Sequence, residues 1–363
     1  MPIYHQIAEK LQVRREGLDV PLALPDEHAL AAEFSVARTT IRRALRVLED
    51  KGAVTRKQGV GTYLQPSKSS GDDLRGKRIG IVPPWWAEQP GSWYYATILD
   101  GVSRWADAHD CAFTVLHAAA RPHHEHQWLE RIRRQELSGI VWVHPQEDQL
   151  KLLFKTAKLF PTVVLGRTIA GDGLHHVIPD YDCAAELIDR HLIGRGHATY
   201  GVIGKNVSDP YSQVWMDAFR KTYRKRGAEF HPRPYFLDYG AFNQNRLADL
   251  LLDFYLPDHP EIQALVFPTS GSLNLLQSHP RFRERITDDL SIITTNYGQF
   301  PVESLFPGVS LTHITCDWSA MAGCALDTLA LLAGGHQVPE NICQPVELVP
   351  GETTHHNQAV AVA

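Results

Sequence analysis

The sequence predicts an α/β chain in which a small helical module closed by a β-hairpin precedes a two-lobed domain of doubly wound parallel sheets. Three observations carry this. Helical periodicity and a glycine-marked hairpin fill the first 64 residues. A polar stretch with Ser, Gly and Pro follows. From Lys77 onward, short apolar β-rich runs alternate with amphipathic helical ones, the grammar of βαβ units. The boundaries fall at 1–64 for the module, 65–76 for a linker, 77–354 for the lobed domain and 355–363 for a tail. A lobed region of about 280 residues is large for one sheet. It divides into lobe 1 (77–180 and 297–335) and lobe 2 (181–296 and 340–354).

Within the module, Tyr4, Ile7, Ala8 and Leu11 recur at helical spacing. LPDEHALAAEF places Pro25 and Asp26 at a helix start, with Leu30 and Phe34 on one face. After a short turn at Ser35, VARTTIRRALRVLEDKG sets Ile41, Ala44, Leu45 and Leu48 as an inward stripe. Arg38, Thr39, Arg42, Arg43 and Arg46 lie off that stripe, and Gly52 ends the helix. AVTRKQGVGTYL then reads as two strands around a turn carrying Gly59 and Gly61. In the lobed domain RIGIVPP, SGIVWVHP, PTVVLGR, ATYGVIG, ALVFPTS and LSIITTNY are the strands. TILDGVSRWADAHD, QVWMDAFRKTYRKRG and SAMAGCALDTLALLAGG are among the helices between them.

Composition sets the class. Hydrophobic residues make up 44% and charged residues 21%, as in globular proteins with real cores. No run of 18 apolar residues occurs, and the start MPIYHQIAEKLQVRR lacks the apolar core of a secretory signal. The five scattered cysteines suit reduced thiols. A cytoplasmic protein without membrane contact is expected. The net charge of −5 hides an asymmetry: residues 38–57 carry seven basic side chains against Glu49 and Asp50. A basic face on an acidic body suits local phosphate contact and discourages indiscriminate adhesion.

Residues 3–64, read as IYHQIAEKL, LPDEHALAAEF, VARTTIRRALRVLEDKG and RKQGVGTYL, resemble the winged helix-turn-helix of the GntR family, whose parts they match in order. The resemblance implies DNA binding. Arg38 would read a guanine through O6 and N7, because its planar fork reaches both. Thr39, Thr40, Arg42 and Arg43 would hold phosphates or bases. Lys57, Gly59, Gly61 and Thr62 would form the wing contacts. His28 stands where the family often has a DNA-contacting arginine. Ala37 replaces the usual serine before the recognition arginine, and Pro21 a usual glycine.

Residues 77–354 resemble the type I, periplasmic-binding-protein-like effector domain of LacI-type repressors. KRIGIV, LSGIVWVHP, PTVVLGR, VIPDYDCAAELIDRHLIGRGHATYGVIG, DLSIITTNYG and PVELVPGETT carry the likeness. The whole resembles arabinose-type repressors, in which a GntR reader replaces the LacI headpiece. In that family ligand lies between the lobes, at the carboxyl ends of strands. Trp93, Tyr94 and Tyr95 supply aromatic surface there, suited to the apolar faces of sugars. His144 and Arg167 close their strands, and Asp180 is a cleft or hinge residue. Trp215 stands at a family arginine, Ser270 or Gly271 near a family aspartate, and Asn296 at another aspartate.

These readings predict an effector-controlled repressor: a homodimer on double-stranded operator DNA, responding to a small molecule, a sugar or sugar derivative. No enzyme activity, cofactor or metal is expected. Two alternatives are weighed. A pyridoxal-phosphate fusion needs a longer chain and a Schiff-base lysine in a characteristic setting. A constitutive DNA-binding protein would use the lobed domain for dimerisation only. Histidines such as His123, His124 and His126 lack the spacing of a metal site.

Overall fold

The amino-terminal module is set by one helix start, one turn and one hairpin. The computed structural model describes residues 3–4, 7–8, 10–11, 22–50, 53–57, 61–64, 74–84, 93–118, 125–171, 173–204, 210–231, 235–238, 246–296 and 302–357. The described residues of α1 (3–11) are helical, with Ile7, Ala8 and Leu11 buried. Helix α2 (Glu27–Glu33) starts where the Asp26 carboxylate accepts from His28 N at 2.8 Å and Ala29 N at 2.7 Å, satisfying two of the first-turn donors. At its end Ser35 N donates to Ala32 O at 3.2 Å and Val36 N to Ala31 O at 3.0 Å. This is the paired closure that needs a left-handed residue, and Ser35 supplies it at φ 51°. Helix α3 (Arg38–Asp50) follows. Its Ile41, Ala44, Leu45 and Leu48 have no exposed surface, each large aliphatic contributing about 1.5–3 kcal/mol by burial. Strands β1 (Leu22–Leu24), β2 (Val54–Lys57) and β3 (Gly61–Leu64) form an antiparallel sheet ordered β1-β3-β2.

The chain forms two compact units: residues 1–85, 98–178 and 318–345, and residues 86–97, 179–317 and 346–363. In the first, β4 (Arg78–Val82), β5 (Ala112–Val115), β6 (Leu137–Val143), β7 (Thr162–Leu165) and β8 (His175–Pro179) run parallel. Their sheet has six strands in the order β14-β8-β7-β6-β4-β5, where β14 is Asn341–Gln344. Helix α4 is Trp93–Ala108. In the second unit, β9 (Gly201–Gly204), β10 (Phe236–Asp238), β11 (Ala264–Phe267), β12 (Ser291–Thr295) and β13 (Thr312–Thr315) run parallel. The antiparallel β15 (Glu347–Val349) closes that edge. Helices α5 (Tyr181–Gly194) and α6 (Pro210–Lys225) belong to this unit, and α7 (Trp318–Ala333) to the first. β4, β7, β9, β11 and β12 are buried nearly throughout, as strands covered on both faces must be.

Four sequence boundaries shift. The linker ends sooner, because Leu74 is fully buried and Gly76 N donates to Asp110 O at 2.7 Å. The expected return to the first lobe at 297 moves to 318, because β13 pairs with β12 through Ile293↔Thr312. β14, expected in lobe 2, joins the first unit's sheet beside β8. The expected tail is tied down as far as Asn357: His355 N donates to Ser291 Oγ at 2.8 Å and Asn357 N to Arg195 O at 2.8 Å.

Candidate DNA-facing surface and effector-site residues

The amphipathic pattern of α3 decides what its outer face offers. With the aliphatic stripe turned inward, Arg38, Thr39, Arg42, Arg43 and Arg46 are exposed and Thr40 is half-buried. Glu27 of α2 organises two of these cations. Its Oε2 receives Arg42 Nη2 at 2.9 Å and Nε at 3.3 Å, and stands 3.9 Å from Arg38 Nη2. The hydrogen bond and charge of Glu27 raise the Arg42 pKa further above its ordinary value. Both guanidiniums stay about three-fifths exposed, so the pairing orients them without burying them. Composition and spacing do not reveal Glu27; its place in the first turn of the helix that precedes the arginine-rich one was the available signal. His28 is exposed, its backbone N–H engaged on Asp26. In the wing, Lys57 pairs across from Gly61, and Arg56 from Thr62. Gly61 (φ 148°) is exposed and Thr62 half-buried. Gly59 lies outside the described residues.

The effector-site candidates fall into two groups. In the first unit, His144 and Arg167 sit at the carboxyl ends of the adjacent parallel strands β6 and β7. His144 adopts φ 45°, a conformation that costs a non-glycine residue about 1–3 kcal/mol and gathers at functional sites. Burial, with the charge of Arg167, pushes its pKa down to about 3, so the imidazole is neutral. Arg167 is buried at 5% exposure. Its Nη1 donates to Pro145 O at 3.1 Å and its Nη2 to Glu147 Oε1 at 3.2 Å. The ion pair with Glu147 is not announced by the loop sequence PQED.

In the second unit, Ser270 and Asn296 follow β11 and β12 at the same carboxyl edge, both buried. Asn296 N donates to Ile314 O at 2.7 Å. Thr295 Oγ1 at 2.6 Å and Tyr211 OH at 3.0 Å both donate to Pro268 O, binding the ends of β11 and β12 to α6. Asp180 caps α5 by accepting from Cys183 N at 2.9 Å, and burial raises its pKa. It stands beside the 178/179 crossover between the units. Trp93 and Tyr95 are half-buried, and burial raises the Tyr95 pKa.

Two aromatic expectations need correction. Trp215 has no exposed surface: its ring meets Tyr181 edge-on at 5.4 Å and stacks on Phe219 at 5.8 Å. Tyr94 is 2% exposed, with burial as the main cause of its raised pKa and Cys316 and Tyr211 as its neighbours. Neither presents an open face for stacking, because apolar rings this large pack against one another first. The spacing of Tyr211, Trp215, Phe219 and Tyr223 along α6 is the signal that marks this as a core face. Among the described residues no group of three metal-type ligands comes together; His123 and His124 lie outside them.

An arginine-faced helix with its hairpin wing, followed by parallel sheets with polar groups at their carboxyl edges, is the build of a DNA-binding regulator with a ligand-binding domain. The comparisons agree. The gntR family of bacterial regulatory proteins matches residues 3–64. The periplasmic binding proteins and sugar binding domain of LacI family match 80–270, and a periplasmic binding protein-like domain matches 190–354. The chain belongs to the periplasmic-binding and LacI-type sugar-binding family, with a GntR-type reader at its amino end. It is a transcription regulator.

The arabinose metabolism transcriptional repressor of Halalkalibacterium halodurans is 22% identical over 290 residues, covering 77% of this chain and 76% of that protein. The mannosyl-D-glycerate transport/metabolism system repressor of Escherichia coli is 41% identical over 73 residues, 20% of this chain and 30% of that protein. Among solved structures, a LacI family transcriptional regulator from Mycobacterium smegmatis aligns with TM-score 0.61 at 21% identity, covering 77% of this chain and 99% of that one. The cellobiose complex of the regulator CelR aligns with TM-score 0.60 at 15% identity over 91% and 100%. No helix among the described residues is long and apolar enough to cross a membrane.

Proposed function

We propose that the chain is a repressor that binds a pseudo-palindromic operator as a homodimer and is controlled by a small, neutral, polyhydroxylated effector, a sugar or sugar derivative. The observation that carries the DNA half is the exposed arginine face of α3, with Arg38 and Arg42 held by Glu27. Arg38 reads a base; His28, Thr39, Thr40, Arg42, Arg43, Lys57, Gly59, Gly61 and Thr62 contact the backbone or neighbouring bases. A single winged helix reads few base pairs, and two-fold symmetry doubles the site. The effector half rests on polar side chains at strand carboxyl ends: His144 and Arg167 in one unit, Asp180, Ser270 and Asn296 in the other. Trp93 and Tyr95 offer the partly open aromatic surface. Tyr94 and Trp215 are packed in the core and present no surface to a ligand.

The test selects a duplex from a randomised pool with the full chain, then measures binding with and without each of a panel of neutral sugars. Arg38→Ala should weaken the selected duplex by about 1–3 kcal/mol and relax one position per half-site. Lys57→Ala should weaken selected and random duplexes alike and reduce the salt slope by about one. Equal loss on both duplexes from both variants overturns the division of roles. The buried state of Tyr94 and Trp215 favours a second reading, constitutive DNA binding with a dimerising lobed domain. It is adopted if no neutral sugar or other metabolite changes operator affinity.

A further inference from the structure

We infer that His28 is a DNA contact whose protonation strengthens operator binding, so that affinity rises as pH falls. The inference rests on the reading of α2 and α3 as the DNA-facing surface. His28 is exposed, and its part in the helix cap is played by the backbone N–H, which donates to Asp26 Oδ1 at 2.8 Å. The cap therefore leaves the imidazole uncommitted and survives substitution of the side chain.

The imidazole belongs to the same patch as the recognition arginines. The Asp26 carboxylate, held low first by the backbone N–H groups of Ala29 and His28, also feels the charges of both His28 and Arg38. Next along α2, Glu27 binds Arg42 and stands beside Arg38. The charged groups that share this face are Asp26 and Glu27 at the start of the histidine's own helix and Arg38 and Arg42 from α3, and of these Asp26 is the one whose charge interacts with the imidazole. Of the cations on this surface, Arg38, Arg42, Arg43 and Arg46 stay charged at all relevant pH. Only the histidine changes charge between about pH 5 and 8.

In the free protein two influences on the imidazolium oppose each other: Asp26 and Glu27 attract it, and Arg38 and Arg42 repel it. Bound DNA adds a row of phosphates to one side of this balance. The complex then holds the proton more tightly than the free protein does. By linkage, affinity must increase as pH falls, over the window between the free and bound titrations. A rise of about one pH unit in the bound titration corresponds to about a tenfold gain at most per reader. One more neutralised phosphate steepens the salt dependence by about 0.9 per protomer.

The experiment follows binding of the full chain to a fluorescent duplex, selected by the protein from a randomised pool, and to an unrelated duplex of equal length. Titrations run from pH 5.5 to 8.0 at constant ionic strength. The wild type should gain about threefold to tenfold per reader toward low pH on both duplexes. His28→Gln should flatten that response. His28→Arg should hold the high-affinity value at every pH, with the steeper salt slope. Thermal midpoints of both variants should match the wild type, because the Asp26 cap is retained. A His28→Gln variant that keeps the full pH response overturns the proposal. So does a flat wild type, in which Asp26 and Glu27 would neutralise the proton equally in both states. Arg38→Ala separates the premises: if it leaves binding intact at all pH, the surface assignment is what fails.

Discussion

Gly101 and Gly323 should respond to the same substitution with opposite signs. A Cβ built on Gly101 stands 2.5 Å from the Ser319 carbonyl oxygen and 2.8 Å from both its Cα and its Oγ. Ordinary carbon contacts lie at about 3.5–4.0 Å, so α4 and α7 must part by roughly 1 Å to admit one methyl. The obstacle is backbone, which cannot swing away, and parting the helices also loosens the bond from Arg104 Nη2 to Ser319 Oγ. Overpacking of this kind costs about 1–3 kcal/mol, while alanine recovers up to about 1 kcal/mol of helix propensity. The net expectation for Gly101→Ala is a loss of about 1–2 kcal/mol. At Gly323 the nearest atom is Trp105 Cδ1 at 3.9 Å. Only the propensity gain remains there. Thermal unfolding of the full chain reads the difference: at about 2–4 °C per kcal/mol for a unit of this size, Gly101→Ala lowers the midpoint and Gly323→Ala raises it. Two shifts of the same sign, or an unaffected Gly101→Ala, would refute the packing argument.

The reader module offers two stabilising changes. Ser35→Gly should raise its stability by about 0.5–1 kcal/mol, since the φ of 51° is strained for serine and open to glycine. Ala37→Ser should add about 0.5–2 kcal/mol, because the Ala37 carbonyl already accepts from Thr40 N and Ile41 N and only a side-chain acceptor is missing. Differential scanning of the full chain checks both, and an unchanged midpoint in either counts against that cap geometry. His144 gives a pH prediction. Its folded pKa of about 3 lies below the ordinary value of 6.5, so between those values the unfolded chain binds the extra proton. Stability therefore falls as pH falls from about 6.5 towards 3. His144→Asn, which tolerates the same backbone conformation, should flatten that part of the urea-stability profile by up to one proton. An unaltered profile would place the imidazole in water.

The strands were legible because parallel strands covered on both faces are mostly apolar. RIGIV, TVVL, GVIG and ALVF show this in sequence, and SIITT is buried throughout even though Ser291, Thr294 and Thr295 are polar. Where the chain passes from one unit to the other was less legible. THIT would satisfy either sheet, and only its register against β12 assigns it. The anchoring of residues 354–357 was hidden for a different reason. It rests on single polar bonds: Arg195 Nη1 to Thr354 O at 2.6 Å, His191 Nε2 to Thr354 Oγ1 at 2.8 Å, and His197 Nε2 to His355 O at 3.0 Å. Such bonds come from residues more than 150 positions away and leave no period to read.

Candidate site residues divided by chemistry. Polar residues at strand ends could be placed from sequence, because the topology of a parallel sheet fixes which edge they occupy. Aromatic residues could not, since ring size announces buried area but not which face stays open; Trp215 and Tyr94 show this. Arg167 lies between these cases: its place was legible, its partner was not. Its guanidinium is engaged by Pro145 O and by a Glu147 carboxylate that remains largely exposed. An anionic ligand approaching Arg167 must displace or face that carboxylate. A hydroxyl need do neither, since it can accept from the guanidinium while donating to Glu147. The pairing of this buried cation with Glu147 is therefore itself an argument for a neutral, hydroxyl-bearing effector over a phosphorylated one.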